Sequence, residues 1–372
     1  MHPTVQALLA AGQSVWLDTL NRDLIASGRL AKLIEQGLGG VTSNPTIFEK
    51  AIVSAEAYDQ QLRSLATTES DPEKLFWDVA IADLVDALDL FRNVYEARGS
   101  ADGFVSLEVS PLLAHETLAT IALAKELWRR IDRPNLMVKI PGTPEGIPAI
   151  EDCVAAGINI NVTLVFSVEV FEQAARAYIR GLQRRIKEGQ DIDTLASANS
   201  VFISRIDTAV DALLEEKISA GRPLDHLLGQ AGLATAKLAY RKFEDLFHGP
   251  EFDALRTAGG RAQRPLWAST GTKNPNYPDL MYVEPLVGRE TINTMPLNTF
   301  EALLNHGSIS PDRVRQGTDN TLEAVRELEQ EGISLRHVAQ ALQDEGVSKF
   351  SKSYMALLGA ISKTAHGAKY SE

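Results

Sequence analysis

Hydrophobic and polar side chains alternate in a short stretch near the middle of the chain. In NLMVKI, Leu136, Val138 and Ile140 share one parity, and Met137 and Lys139 share the other. Because successive side chains of a β-strand point to opposite faces, the aliphatic residues face one way and the lysine faces the other. The pattern predicts a strand with an apolar outer face and an inward-facing lysine.

The same alternation returns in GININVTL, after a predicted helix. One face carries Ile158, Ile160, Val162 and Leu164, and the other carries Asn159, Asn161 and Thr163. Two strands joined through a helix, each apolar outside and polar inside, are typical of neighbouring strands in a catalytic parallel barrel.

Further strands are predicted along the whole chain, and helices separate them. They lie in GGVT and at residues 14–18, 104–110, 196–204, 264–270 and 289–296. Strands that alternate with helices indicate parallel βαβ units, and eight of them favour a TIM (β/α)8 barrel with extra helices over an open sheet. The stretch LNRDLIASGRLAKLIEQG is predicted as one amphipathic helix that ends at Gly37.

The chain is longer than a minimal barrel. It has 372 residues, and a barrel needs about 250. We therefore predict a single barrel domain over residues 1–372, with a helical insertion at about 54–98 and a helical C-terminal tail at about 310–372. The insertion and the tail could each cover the site or form a contact surface.

The charge, the cysteine content and the lack of targeting signals exclude several classes of protein. The net charge of −12 argues against general nucleic-acid binding, so an anionic substrate would need a local cluster of Arg and Lys. The single cysteine, Cys153, fits a reducing compartment and is interpreted as a small buried hydrophobe. We expect a cytoplasmic protein, because neither a signal peptide nor a membrane span is apparent. Nucleotide-binding loops and metal-ligand spacings are not found either.

The inward-facing Lys139 is the strongest candidate for chemistry. Burial removes hydration from an ammonium and lowers the pKa of a lysine, and the neutral amine can attack a carbonyl to form an imine. The alternative is a lysine at a strand end that extends to solvent.

Several motifs in fixed order resemble transaldolase, in its longer bacterial form. They are GVTSNPTIFEKAI, VSLEVSP, NLMVKIPGTPEG, GININVTLVFS, VFISRID and LWASTGTKNP. The resemblance runs from about Trp16 to Pro296. It implies a class I aldolase on a TIM barrel that needs no metal or organic cofactor. The implied reaction, part of the non-oxidative pentose phosphate pathway, moves a dihydroxyacetone unit from sedoheptulose 7-phosphate to glyceraldehyde 3-phosphate, giving erythrose 4-phosphate and fructose 6-phosphate.

The resemblance also implies catalytic roles. Lys139 forms the imine, and Asp18 takes the hydroxyl proton as the carbon–carbon bond breaks. Glu108 and Thr163 hold the water of the carbinolamine and imine steps. Without the resemblance, Asp18 could instead cap the following helix.

Binding residues are implied in the same way. Asn44 and Asn161 match amides that hold hydroxyls of the three-carbon unit. The phosphate contacts are assigned to Ser200, Arg205, Ser269 and Lys273. Arg205 could instead pair with Asp207 or another surface acid. The segment after Ser269 departs from the short bacterial form, in which an arginine follows the serine closely. Here Lys273 is the next basic residue, and a lysine lacks the bidentate fork of an arginine.

Three other functions compete with the transaldolase reaction. An aldolase like fructose-6-phosphate aldolase would release free dihydroxyacetone. A sugar-phosphate isomerase would use Glu108 as an enolising base, and a non-catalytic binder would not turn over. The protein is expected to be a monomer or a homodimer.

Overall fold

Eight parallel strands close into a barrel in the computed structural model, which describes residues 1–54 and 56–365. The strands follow chain order around the barrel, and the last pairs with the first, so the predicted TIM barrel is confirmed. The strands are β1 (Gln13–Leu17), β2 (Gly40–Thr42), β3 (Phe104–Glu108), β4 (Leu136–Pro141), β5 (Ile160–Val165), β6 (Ser197–Phe202), β7 (Arg264–Ala268) and β8 (Thr291–Met295).

Helices surround the barrel. They are α1 (Pro3–Ala10), α2 (Arg22–Ala26), α3 (Arg29–Gln36), α4 (Pro45–Ser54), α5 (Asp59–Leu65), α6 (Pro72–Ala97), α7 (Thr117–Ile131), α8 (Gly146–Ala155), α9 (Val168–Lys187), α10 (Ile203–Ser219), α11 (Ala231–Phe247), α12 (Asp253–Thr257), α13 (Leu297–His306), α14 (Thr318–Gln330) and α15 (Leu335–Ala365). None of those within residues 1–54 and 56–365 is long and apolar enough to cross a membrane.

The predicted insertion contains α5 and α6, although residue 55 lies outside the described residues. α6 begins as the sequence indicates, because the carboxylate of Asp71 accepts a hydrogen bond from the backbone N–H of Glu73 at 2.9 Å and Pro72 fills the first turn. The prediction of one continuous helix that ends at Gly37 is wrong. Gly28 has a φ of +72°, which ends α2 and starts a new helix, α3.

The alternation predicted for the β5 strand fails at its last residues. Leu164 has a φ of +56°, and the register to β6 shifts between Val162 and Val165. Val165 therefore joins the outer core with Ile160 and Val162, whereas Leu164 packs in a separate cluster. This β-bulge redirects one side chain at the rim of the barrel.

Cys153 is buried in α8, as interpreted from the sequence. Burial raises the pKa of its thiol to about 12. A thiol with that pKa stays protonated at neutral pH and is a poor nucleophile.

The tail covers the carboxyl ends of the strands, although residues 366–372 lie outside the described residues. α15 packs on α4, on α10 and on β5. The side-chain amide of Gln343, which is buried in α15, donates to the carbonyl oxygens of Gly142 at 3.0 Å and Leu164 at 3.1 Å. Both segments that could cover the site reach it: the tail through Gln343, and the insertion through Phe76 of α6, which lines a small cavity beside Glu108.

Replacing Gln343 with leucine should destabilise the protein by at least about 2 kcal/mol, because each buried carbonyl left without its donor costs about 1–3 kcal/mol. Urea unfolding measures the loss. Gln340→Leu is the matched control, since Gln340 is exposed on the same helix and bonds only Asp344 in the described structure. Equal unfolding midpoints for the two variants would contradict the proposed anchoring role of Gln343.

Candidate active site

Lys139 lies inside the barrel, on β4, with 4% of its surface exposed. Its Nζ donates to the carbonyl oxygen of Ser43 at 2.8 Å and lies 3.3 Å from Oε2 of Glu108. Glu108 is the last residue of β3 and pairs in register with Lys139. The predicted inward orientation is confirmed, and the alternative of a solvent-exposed lysine is wrong.

The pKa of the Glu108 carboxyl is set by its burial and by the neighbouring lysine. Burial raises the pKa of Glu108, and the ammonium of Lys139 opposes that rise. Nζ and Oε2 form an ion pair at 3.3 Å, and Oε2 has no hydrogen-bond partner among the described residues, so it is available to accept a proton. Such a transfer would leave a neutral amine and a neutral acid, which removes two buried charges.

Asp18 directly follows β1 and faces the same cavity. Its Oδ1 accepts from the hydroxyl of Thr42 at 3.0 Å, and that hydroxyl lies 2.8 Å from the hydroxyl of Thr294. Burial raises the pKa of Asp18, while Lys139 lowers it. The capping alternative is wrong, because the helix that follows is capped by the side chain of Asn21.

The polar face of β5 is held by its neighbours. The amide nitrogen of Asn161 donates to the hydroxyl of Ser106 at 3.0 Å, and its oxygen accepts from the hydroxyl of Ser200 at 2.6 Å. An amide nitrogen carries two hydrogens, so one remains for a ligand. The hydroxyl of Thr163 is fully buried and has no hydrogen-bond partner among the described residues.

Asn44 lies between β2 and α4. Its side-chain oxygen accepts from the backbone N–H of Ile47 at 3.0 Å. The oxygen is thereby fixed, and the NH2 group is the part that remains for a ligand. A cavity of about 10 Å³ lies beside Asn44 and Glu108, which is room for about one water molecule.

Arg205, in the first turn of α10, lies between two aromatic rings. Its guanidinium carbon is 5.4 Å from the ring centre of Phe202 and 5.8 Å from that of Phe350, a residue of α15. Burial lowers the pKa of Arg205. The alternative pairing with Asp207 is wrong, because that carboxylate accepts from the backbone N–H of Gly232 at 2.7 Å.

Ser269 and Lys273, the two remaining predicted phosphate contacts, differ in how they are placed. Ser269 has a φ of +54°, and its hydroxyl lies 2.9 Å from that of Ser204. Lys273 is exposed, and its charge reaches Asp18 electrostatically. The site therefore brings together the carboxyl ends of the strands, and Lys273 stands at its edge.

Asp207 itself should make the stability of the protein depend on pH. Burial raises the pKa of Asp207 from 3.8 to about 7. The folded state therefore keeps a proton that the unfolded chain releases near pH 4, so this stabilisation is complete below pH 4 and lost as pH rises to 7. Asp207→Asn should gain stability over the wild type across this range, by up to about 4 kcal/mol (about 3 units at 1.36).

Thermal or urea unfolding from pH 4 to pH 8 measures the difference between the wild type and Asp207→Asn. Asp193→Asn is the control, since Asp193 is exposed. Parallel pH profiles for the wild type and Asp207→Asn would refute the raised pKa.

Some residues of the site were not singled out from the sequence. Ser106 shares its face with Glu108, so strand parity could have indicated it. Thr42 and Thr294 carry no signal by themselves, and the helical spacing of Phe350 in the predicted tail indicates only that it faces the body of the protein. Among the described residues, no group of three or more His, Cys, Asp and Glu is placed to hold a metal ion.

Comparison with known proteins agrees with this geometry. A family model described as Transaldolase/Fructose-6-phosphate aldolase matches residues 15–361. A protein of Thiobacillus denitrificans named Transaldolase is 47% identical over 356 residues, which covers 94% of this chain and 97% of that one. A protein of Mycolicibacterium smegmatis with the same name is 45% identical over 369 residues, covering 99% of both chains.

Proposed function

The chain belongs to the transaldolase/fructose-6-phosphate aldolase family, and on that premise we propose that it transfers a dihydroxyacetone unit between sugar phosphates through an imine on Lys139. The donor is sedoheptulose 7-phosphate and the acceptor is glyceraldehyde 3-phosphate, in the non-oxidative pentose phosphate pathway. The observation that carries the proposal is the buried Nζ of Lys139, 3.3 Å from Glu108.

Imine formation begins with the pair of Lys139 and Glu108. Glu108 takes the proton of Nζ, and the neutral amine attacks the ketose carbonyl to form a carbinolamine. Glu108 then returns a proton to the departing hydroxyl, and water leaves as the C=N bond forms. The unpartnered hydroxyl of Thr163 holds that water.

Carbon–carbon cleavage is assigned to Asp18. With the imine at C2, the Asp18 carboxylate takes the proton of the C4 hydroxyl, and the C3–C4 bond breaks. C4 becomes the aldehyde carbon of the departing aldose phosphate, and the bond electrons move into an enamine on the three-carbon unit. Asn44 and Asn161 hold the hydroxyls of this three-carbon unit until the acceptor aldehyde arrives. The enamine then attacks the carbonyl carbon of the acceptor, and the new hydroxyl oxygen takes a proton from Asp18. Hydrolysis of the imine releases the ketose phosphate.

The phosphate of each substrate is assigned to Arg205, with Ser269 and Lys273 as further contacts. The hydroxyl of Ser200, predicted as another phosphate contact, donates its one hydrogen to the side-chain oxygen of Asn161 at 2.6 Å, so Ser200 is assigned to orienting Asn161 instead. A planar guanidinium suits a phosphate because it can donate two parallel hydrogen bonds. The stacked rings of Phe202 and Phe350 fix its plane.

Arg205→Gln should reduce kcat/KM for phosphorylated substrates about 10- to 150-fold, because a hydrogen bond to a charged group contributes about 1.5–3 kcal/mol. Lys273→Gln should reduce it less than about fivefold, since an exposed charge contributes about 1 kcal/mol at most. Steady-state kinetics with both substrates measures the two effects. A larger loss for Lys273→Gln would reverse the assignment.

Borohydride trapping tests the proposed function. Fructose 6-phosphate plus borohydride should leave a reduced three-carbon adduct on the peptide that contains Lys139, and mass spectrometry locates it. An unmodified Lys139 peptide would refute the imine. Sustained release of dihydroxyacetone without an acceptor would show an aldolase like fructose-6-phosphate aldolase.

We propose the remaining properties from the same premise. Residues 1–372 form one barrel domain, and the protein acts in the cytoplasm as a monomer or homodimer. It uses neither a metal nor an organic cofactor and does not bind nucleic acid. Size-exclusion chromatography with light scattering measures the oligomeric state.

A further inference from the structure

A cavity of about 720 Å³ opens at the end of the barrel opposite to Lys139. Its lining includes the first residues of β1, β3, β6 and β7, which are Gln13, Phe104, Ser197 and Arg264. Because the strands are parallel, their first residues lie at the amino-terminal end of the barrel, and the active site lies at the carboxyl-terminal end. The cavity is therefore separate from the catalytic site.

The wall of this cavity is largely apolar and partly aromatic. It includes Leu9, Phe104, Met137, Phe247 and Phe252. Its volume lies within the range of small-molecule sites, about 300–1,000 Å³. A planar ring or short aliphatic body would bury its surface against these side chains.

Arginines also line the cavity, and two of them are neutralised by carboxylates. Arg98 pairs with Asp102 at 2.5 Å, and Arg256 pairs with Asp253. The other carboxylate in the lining, that of Glu290, is bound 2.8 Å from a ring nitrogen of His248.

Three further arginines of the lining have no ion pair with any described residue. Arg264 donates to the hydroxyl of Ser14 at 2.8 Å and to backbone carbonyls, and Arg261 donates to the carbonyl of Ser100 at 2.5 Å. These acceptors are neutral, so they orient the guanidinium groups without cancelling their charge. Burial lowers the pKa of Arg264, as expected of a desolvated charge. Arg289 is exposed at the rim.

We propose that this cavity is a second ligand site, which binds a small organic anion with an aromatic or aliphatic body and a phosphate or carboxylate head. The body lies against the phenylalanines, and the head is bound by Arg261 and Arg289. Arg264 donates four of its five N–H groups to Ser14 and to backbone carbonyls, so it adds positive charge and a single donor. A guanidinium fork matches both head groups. The lining holds five arginines and two carboxylates, Asp102 and Glu290, both of which act electrostatically on Arg264. The cavity is therefore net positive in a chain whose overall charge is −12.

Isothermal titration of the full chain with 1-naphthyl phosphate tests the proposal. Saturating fructose 6-phosphate is present throughout, so the active site is occupied. We expect one saturable site, with weaker binding of inorganic phosphate, which lacks the body, and of 1-naphthol, which lacks the charge. The affinity for 1-naphthoate, compared with that for 1-naphthyl phosphate, shows which of the two head groups the site prefers. No saturable binding of either naphthyl anion would overturn the proposal.

Variants locate the site. Arg289→Gln and Arg261→Gln should each weaken binding about 10-fold or more. Arg63→Gln, an exposed arginine of α5, and Arg205→Gln, in the active site, should leave binding unchanged. Loss of binding in Arg205→Gln, or unchanged binding in both Arg261→Gln and Arg289→Gln, would assign the ligand elsewhere. Arg289 is exposed and makes no ion pair in the described structure, so its variant is expected to fold.

Discussion

Replacing Lys139 with methionine should lower kcat for the transfer by about 10⁴-fold or more, the scale seen when an enzyme loses its nucleophile. Methionine keeps the length and apolar stem of the side chain but cannot form an imine. The variant should still fold, because the raised pKa of Glu108 lets that carboxyl become neutral when its partner is gone. Steady-state rates and the borohydride adduct are measured together.

Two further lysine variants sharpen the result. Lys139→Arg keeps a positive charge but not a nucleophilic amine, so it should be as inactive as Lys139→Met. Appreciable activity in Lys139→Arg would favour an isomerase in which Lys139 acts only electrostatically. Lys32→Met is the matched control, because Lys32 is exposed on α3 and its loss should leave kcat nearly unchanged.

Glu108→Gln should reduce kcat about 10²- to 10⁴-fold, the usual contribution of a general acid–base group. The glutamine keeps the shape of the side chain but can neither pair with the Lys139 ammonium nor take its proton. Trapping with borohydride should therefore become slow without disappearing. Glu145→Gln is the control, since the half-exposed Glu145 pairs with His115 at the surface.

The pH profile gives a second measure of Glu108. Its carboxyl must be ionised to accept the proton of Lys139, so activity falls as pH falls through its pKa. Because burial raises that pKa above the ordinary value of 4.5, the acidic limb of kcat/KM should lie above pH 4.5 in the wild type. Asp18, whose pKa is also raised by burial, must be ionised as well for bond cleavage. Glu108→Gln should therefore change the acidic limb to the one that Asp18 alone sets. An unchanged profile with near wild-type activity would remove Glu108 from the mechanism.

The barrel could be predicted because strand patterns are local. Alternation with a period of two places Lys139 inside and Val138 outside whatever the neighbouring strands are, and the structure agrees at both positions. The same reasoning failed at Leu164, where a β-bulge shifts the register to β6. A bulge depends on how two strands and the covering α15 fit together, and the alternation of one strand contains no record of that.

The breaks between helices show the same limit on a smaller scale. Asp71 and Pro72 indicated the start of α6, because capping acts within one turn. Gly28 lies inside an amphipathic pattern that predicts one continuous helix, but its left-handed backbone separates α2 from α3. Glycine permits such a break but does not require it.

By itself, the sequence determined which side chains face the interior of the barrel and at which end of their strands they lie, since both follow from parity and chain direction. Only the tertiary structure decided their partners: the carboxylate beside Lys139, the ring of Phe350 on Arg205, and the unpaired arginines at the far end of the barrel. These contacts join residues far apart in the chain, and their distances depend on how whole helices and strands pack. A local pattern predicts the direction in which a side chain points, but it does not predict which residues that side chain contacts.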